Sequence, residues 1–168
     1  MFSFSFKLIE MLENTKAEKL IQSTKLNKVN GKIILVDDDP YEKEALILAL
    51  EKRNWQVKVE YFSDVKTALE HLRNNNEEIF LIISDMNMPK MNGMDFKKAI
   101  DDDPILTKKS IPFIFASSAA SKAEITQAYK YRVQGYFGKP NKIEDQAEML
   151  DLIIKYWIVS RHPNKDDI

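Results

Sequence analysis

From Lys32 onward, short apolar runs alternate with longer charged segments whose hydrophobic positions recur at helical spacing. The runs KIILV (32–36), VKVEYF (57–62), IFLIIS (79–84), PFIFAS (112–117) and the shorter GYFG (135–138) have the length and the β-branched and aromatic content of strands. Residues 40–53, 64–74, 93–101, 121–131 and 142–158 read as helices with one apolar face. Strands that are apolar at nearly every position are buried on both sides. Five such βα units therefore predict an α/β fold, a parallel sheet with helices on both faces. Right-handed crossovers leave it few topologies.

Ahead of this body, Leu8, Ile9, Leu12, Ala17, Leu20 and Ile21 fall loosely on one helical face, and the polar stretch QSTKLNKVN that follows reads as a linker. The expected organisation is an N-terminal extension over 1–30 containing a short helix, one domain over 31–160, and a tail over 161–168.

In open parallel sheets, ligands bind outside the carboxyl ends of the strands, so the residues that end each apolar run carry the chemical information. The first run ends in VDDDP, the third at Asp85, the fourth at Ser117 and Ser118, and the fifth at Lys139 before Pro140. Asp39, followed by Pro40 and Glu42, fits a helix N-cap with proline at N1 and glutamate at N3, which leaves Asp37 and Asp38 free at the strand tip. Ser121 and Glu124 make a capping box, so Ser117 and Ser118 are not needed for that purpose. A second acidic run, DDDP at 101–104, reads as a solvated loop, because acids oppose the dipole at a helix C-terminus and Pro104 breaks the chain.

Asp37, Asp38 and Asp85 on neighbouring strand ends would bring three carboxylates together. At an effective dielectric of roughly 20, two anions about 4 Å apart repel by about 4 kcal/mol. Such a cluster needs cations. Lys139 supplies one, and hard oxygen donors suit Mg²⁺ as a second. A carboxylate screened in this way can act as a nucleophile towards phosphorus, giving an aspartyl phosphate, while a lysine and a serine hydroxyl take up charge on the phosphoryl oxygens.

Composition narrows the field. With 25 basic and 26 acidic residues the chain has no broad basic footprint, so neither nucleic acid nor an anionic membrane is expected as a partner. There is no cysteine, which removes thiolate catalysis and cysteine metal sites and fits the reducing cytoplasm. His71 and His162 are far apart in polar settings and suggest no imidazole metal centre. No apolar stretch approaches the roughly 20 residues of a bilayer span, and the opening residues lack the pattern of a secretory signal.

ILVDDDP, LIISDMNMPKMNGMDF, IPFIFASSA and GYFGKP, with YFSDVKTALEHL in the second-strand position, occur in an order that resembles the receiver domain of two-component response regulators, over about residues 32–158. The resemblance implies a flavodoxin-like five-stranded sheet in the order 2-1-3-4-5. Asp85 would be the phosphoacceptor, supplied by a sensor histidine kinase or a histidine phosphotransfer protein. Mg²⁺ would be bound by Asp38, Asp85 and the backbone carbonyl of Asn87, with Asp37 acting mainly through water. Ser117 and Lys139 would bind the phosphoryl group, Ser117 and Tyr136 would form the switch, and the Lys139–Pro140 bond would be cis. Such a protein is not an enzyme in the ordinary sense, and a homodimer through the switch face is an assembly open to it.

After Trp157 only IVSRHPNKDDI follows, so output is expected through a downstream protein partner or onward phosphoryl transfer. Two other readings share these residues. Asp37 and Asp39 have the D-x-D spacing of haloacid-dehalogenase-type phosphatases, in which Asp37 would carry the phosphoryl group. The chain could also be a receiver-like binding module that is never phosphorylated.

Overall fold

The structure, a computed structural model, describes residues 27–119 and 121–160. The helix expected within 8–21 and the tail 161–168 lie outside the described residues. In chain order the elements are β1 (Lys28–Val36), α1 (Tyr41–Lys52), β2 (Gln56–Phe62), α2 (Val65–Asn74), β3 (Ile79–Ser84), α3 (Gly93–Asp102), α4 (Pro104–Lys109), β4 (Phe113–Ser117), α5 (Lys122–Lys130), β5 (Gly135–Gly138) and α6 (Ile143–Val159). The strands form one all-parallel sheet in the order β2-β1-β3-β4-β5. This is the expected flavodoxin-like arrangement.

Side chains on a strand alternate between faces, and here both faces are apolar. Ile33, Leu35, Leu81, Ile83, Ile114 and Ala116 pack with Leu46 and Leu50 of α1 and with Leu150, Ile153 and Trp157 of α6. Ile34, Val36, Ile82, Phe113 and Phe115 pack on the other side with α2, α3 and Ala128 of α5, where Phe96 is fully buried. No helix among the described residues is long and apolar enough to cross a membrane.

Two local readings differ from the structure. β1 begins at Lys28, inside the stretch read as a linker, and pairs with Gln56 before its register shifts ahead of Lys32. Gly31 makes the irregularity possible. Its φ is +83°, and a Cβ there would lie 2.9 Å from the carbonyl oxygen of Glu78. The second acidic run is also not a solvated loop. Asp103 caps α4 by accepting hydrogen bonds from the amides of Ile105 (2.8 Å) and Leu106 (3.2 Å), with Pro104 opening the helix. Asp103 also pairs with Arg73 at 2.6 Å, while Asp101 and Asp102 pair with Lys97 and Lys98 one turn back.

Candidate functional site

The strand ends converge on one lysine. Lys139 Nζ lies 2.6 Å from Asp37 Oδ2, 3.5 Å from Asp85 Oδ1 and 3.3 Å from Glu42 Oε1. β1 and β3 are adjacent in the sheet, so Val36 and Ser84 are paired and the next residues, Asp37 and Asp85, leave the sheet side by side. Lys139 follows β5, and its backbone amide donates to the carbonyl of Ser117 at 2.9 Å, which ties the fifth strand end to the fourth. Residue parity sets the directions. Asp37, Asp85 and Lys139 continue the alternation of Leu35, Ile83 and Phe137, which face α1 and α6. Ser117 and Tyr136 continue that of Phe113, Phe115 and their neighbours on the opposite face.

Asp37 and Asp85 are both buried, at 2% and 8% exposure. Burial pushes the Asp37 carboxyl above its ordinary value and the charge of Asp85 adds to this, against the opposing pull of Lys139 and the Asp39 amide. Lys139 moves the same way for the complementary reason. Burial alone would lower it, but the hydrogen bond it donates to Asp37 and the charges of Asp37, Asp85 and Glu42 together outweigh that and raise it. The pocket thus holds more anion than its single ammonium balances.

The remaining oxygens differ between the two acids. Asp37 Oδ1 accepts the Asp39 amide at 3.0 Å, so with Lys139 on Oδ2 both oxygens of Asp37 are engaged. Asp85 Oδ2 accepts the Asn87 amide at 2.9 Å, whereas Oδ1 has only the long contact to Lys139. Asn87 itself is exposed. Gly93 brings α3 up beneath this loop. Its amide donates to the Met86 carbonyl at 3.0 Å, and a Cβ in its place would sit 2.3 Å from the Asp85 carbonyl oxygen. The Asn92 and Asp95 side chains close a capping box over the same helix start.

Ser117 is 2% exposed, and its hydroxyl donates to the Ala119 carbonyl at 3.0 Å. Ser121 and Glu124 form the expected capping box on α5. The Tyr136 ring packs tilted on Phe115 with centroids 6.0 Å apart. Its hydroxyl is buried without a hydrogen-bond partner of good geometry, and burial pushes its pKa up.

Several expected details differ. Asp38 is exposed, next in the chain to the buried Asp37. Among the described residues no three carboxylates or imidazoles assemble into a metal-holding group, because the Lys139 ammonium stands between the two buried acids. The described peptide bonds, Lys139–Pro140 included, are all trans. The expected Asp39 cap with Glu42 at N3 is not formed: Pro40 is the N-cap of α1 and no side chain caps it, Asp39 accepts the Tyr41 amide at 3.0 Å just ahead of the helix, and the Glu42 carboxylate turns to Lys139. Reading the sequence missed Glu42 as a member of the site. Its position in the first turn of the helix that follows a strand-end acid was the available signal.

The donor set still fits a hard divalent ion. Asp37 and Asp85 are buried oxygen donors on neighbouring strand ends, and Asp38 is adjacent in the chain.

Fold and site together define a doubly wound α/β domain with a lysine-bridged acid pocket at the carboxyl edge of its sheet. The chain belongs to the response regulator receiver domain family, whose sequence model matches residues 33–151. It is 30% identical to the chemotaxis protein CheY1 of Helicobacter pylori over 123 residues, which cover 73% of this chain and 96% of that one. Among solved structures it is similar to the phosphorylated cyanobacterial phytochrome response regulator RcpA, with TM-score 0.69 and 25% identity over 80% of this chain and 98% of that one. The Mn²⁺-bound form of response regulator Rcp1 shares the fold, with TM-score 0.64 and 22% identity over 78% and 97% of the two chains.

Proposed function

We propose that the protein is a phosphoacceptor response regulator in which Asp85 receives a phosphoryl group from the phosphohistidine of a sensor histidine kinase or a histidine phosphotransfer protein. The observation that carries this reading is the Lys139 ammonium held between the buried carboxylates of Asp37 and Asp85, with Ser117 buried at the next strand end, where its carbonyl accepts the Lys139 amide. One Asp85 oxygen attacks phosphorus. The P–O bond forms as the P–N bond to histidine breaks, and the leaving imidazole nitrogen keeps the electron pair. Asp85 rather than Asp37 is the acceptor because both Asp37 oxygens are engaged, whereas Asp85 Oδ1 has only the 3.5 Å contact to Lys139.

Asp37 and Asp85, with Asp38 and the Asn87 carbonyl within the same two loops, would hold Mg²⁺. Its bound charge would screen the acceptor from the incoming phosphoryl oxygens. Lys139 would then pair with one phosphoryl oxygen and Ser117 would donate to another in place of the Ala119 carbonyl. Movement of Ser117 would couple to Tyr136 through their common face of the sheet and bias the surface made by α5, β5 and α6 between two packings. That surface would present the signal to a downstream protein in the cytoplasm.

Exposure of the full chain to acetyl phosphate and Mg²⁺, followed by intact mass and peptide mapping, tests the assignment. An adduct that survives Asp37→Asn in part but disappears in Asp85→Asn is expected. An adduct that maps to Asp37 would favour the phosphatase-type reading, and no adduct would favour the binding module.

A further inference from the structure

We propose that Glu42 is a positioning residue that holds Lys139 on the α1 side of the pocket until a phosphoryl oxygen on Asp85 competes for it. This regulation of the acceptor site rests on the phosphoacceptor reading. Lys139 has one ammonium and three carboxylates around it, and the two nearer ones, Asp37 at 2.6 Å and Glu42 at 3.3 Å, lie away from the Asp85 oxygen at 3.5 Å. Asp37 is the fixed member of the pair, because the Asp39 amide anchors its second oxygen. Glu42 is the adjustable one.

Sequence rules assign Glu42 a local task, closing the cap at the start of α1, and the side chain does not perform it. No side chain caps α1, and Glu42 reaches a residue from the far end of the domain instead. The Glu42 side chain is 25% exposed against 13% for Lys139, so the contact is partly shielded from water. Both side chains line a void of about 20 Å³ together with Leu46, Phe137 and Gln146, so neither is tightly packed on every side.

An anion arriving at Asp85 must draw Lys139 out of its existing ion pair with Glu42. That competition weakens binding of the phosphoryl group, so Glu42 sets a threshold on phosphorylation through the ammonium.

Beryllofluoride in the presence of Mg²⁺, titrated into the full chain and followed by amide NMR, reads this directly. Glu42→Gln keeps the shape and removes the charge, and it should tighten beryllofluoride binding by about three- to tenfold. Glu44→Gln makes the same charge change on the outward face of α1 and should leave the affinity unchanged. In a Lys139→Gln background the effect of Glu42→Gln should vanish, since Glu42 acts through the ammonium. Equal affinities for wild type and Glu42→Gln would overturn the proposal. So would an effect of Glu42→Gln that persists without Lys139, or one that Glu44→Gln reproduces. If the wild-type chain neither binds beryllofluoride nor acquires an acetyl-phosphate adduct on Asp85, the phosphoacceptor reading itself fails and takes this proposal with it.

Discussion

Replacing Lys139 by methionine keeps an unbranched side chain of similar length and removes the ammonium that contacts both Asp37 and Asp85. Breaking one side of a buried ion pair costs about 3–5 kcal/mol, because the partner charges stay behind uncompensated. The pocket has a way to limit that loss: one of the two acids takes up a proton. Asp37 is the one prepared to do so, since burial already pushes it upward. For a carboxyl with an unfolded pKa near 3.9, protonation at neutral pH costs about 4 kcal/mol, and at pH 5 about 1.5 kcal/mol. The destabilisation by Lys139→Met cannot exceed those ceilings. The expected loss is therefore about 3–4 kcal/mol at pH 7 and about 1.5 kcal/mol at pH 5. Urea unfolding of both chains in EDTA, so that no divalent cation replaces the ammonium, measures the difference at each pH. A loss below about 1 kcal/mol at pH 7, or the same loss at both pH values, would refute the view of Lys139 as the counter-charge of a buried acid pair.

Two further outcomes follow from the same geometry. The folded pKa of Lys139 is raised above its ordinary 10.5, so its contribution is fully present below that value and is lost as pH rises through the higher folded pKa. Alkaline unfolding curves of wild type and Lys139→Met should accordingly approach one another above about pH 10.5, and a constant gap there would contradict the assignment. Gly93→Ala would place a methyl group 2.3 Å from the Asp85 carbonyl and 2.7 Å from the Phe115 ring. It should cost about 1–3 kcal/mol in urea unfolding, and it should weaken beryllofluoride binding by displacing the acceptor loop. Unchanged stability would mean that α3 does not support that loop.

The parts of the site that could be read from the sequence are those set by strand termination. Asp37, Asp85, Ser117 and Lys139 each follow an uninterrupted apolar run, and burial of both sheet faces leaves such runs only one way to pack. The parts that could not be read depend on competition between local and distant partners. Glu42 fits a capping box by its neighbours, yet Lys139, 97 positions later in the chain, outbids the cap, which no local rule registers. Pro104 reads as a chain breaker, but the same residue starts a helix when the aspartate before it supplies the cap, as Asp103 does. The first turns of β1 escaped notice because Lys28, Val29 and Asn30 carry a single apolar side chain, and only the pairing with Gln56 makes them a strand.

The odd and even positions at the carboxyl edge divide the site between the two sides of a partition one residue thick. Carboxylates and lysine stand over the α1 and α6 layer, while Ser117 and Tyr136 stand over the layer that contains α5. On the phosphoacceptor reading, charge would be received on one side and passed to the other through the Ser117 hydroxyl. Substitutions around the carboxylates would then retune how readily the acid is modified while leaving the packing around Tyr136 alone.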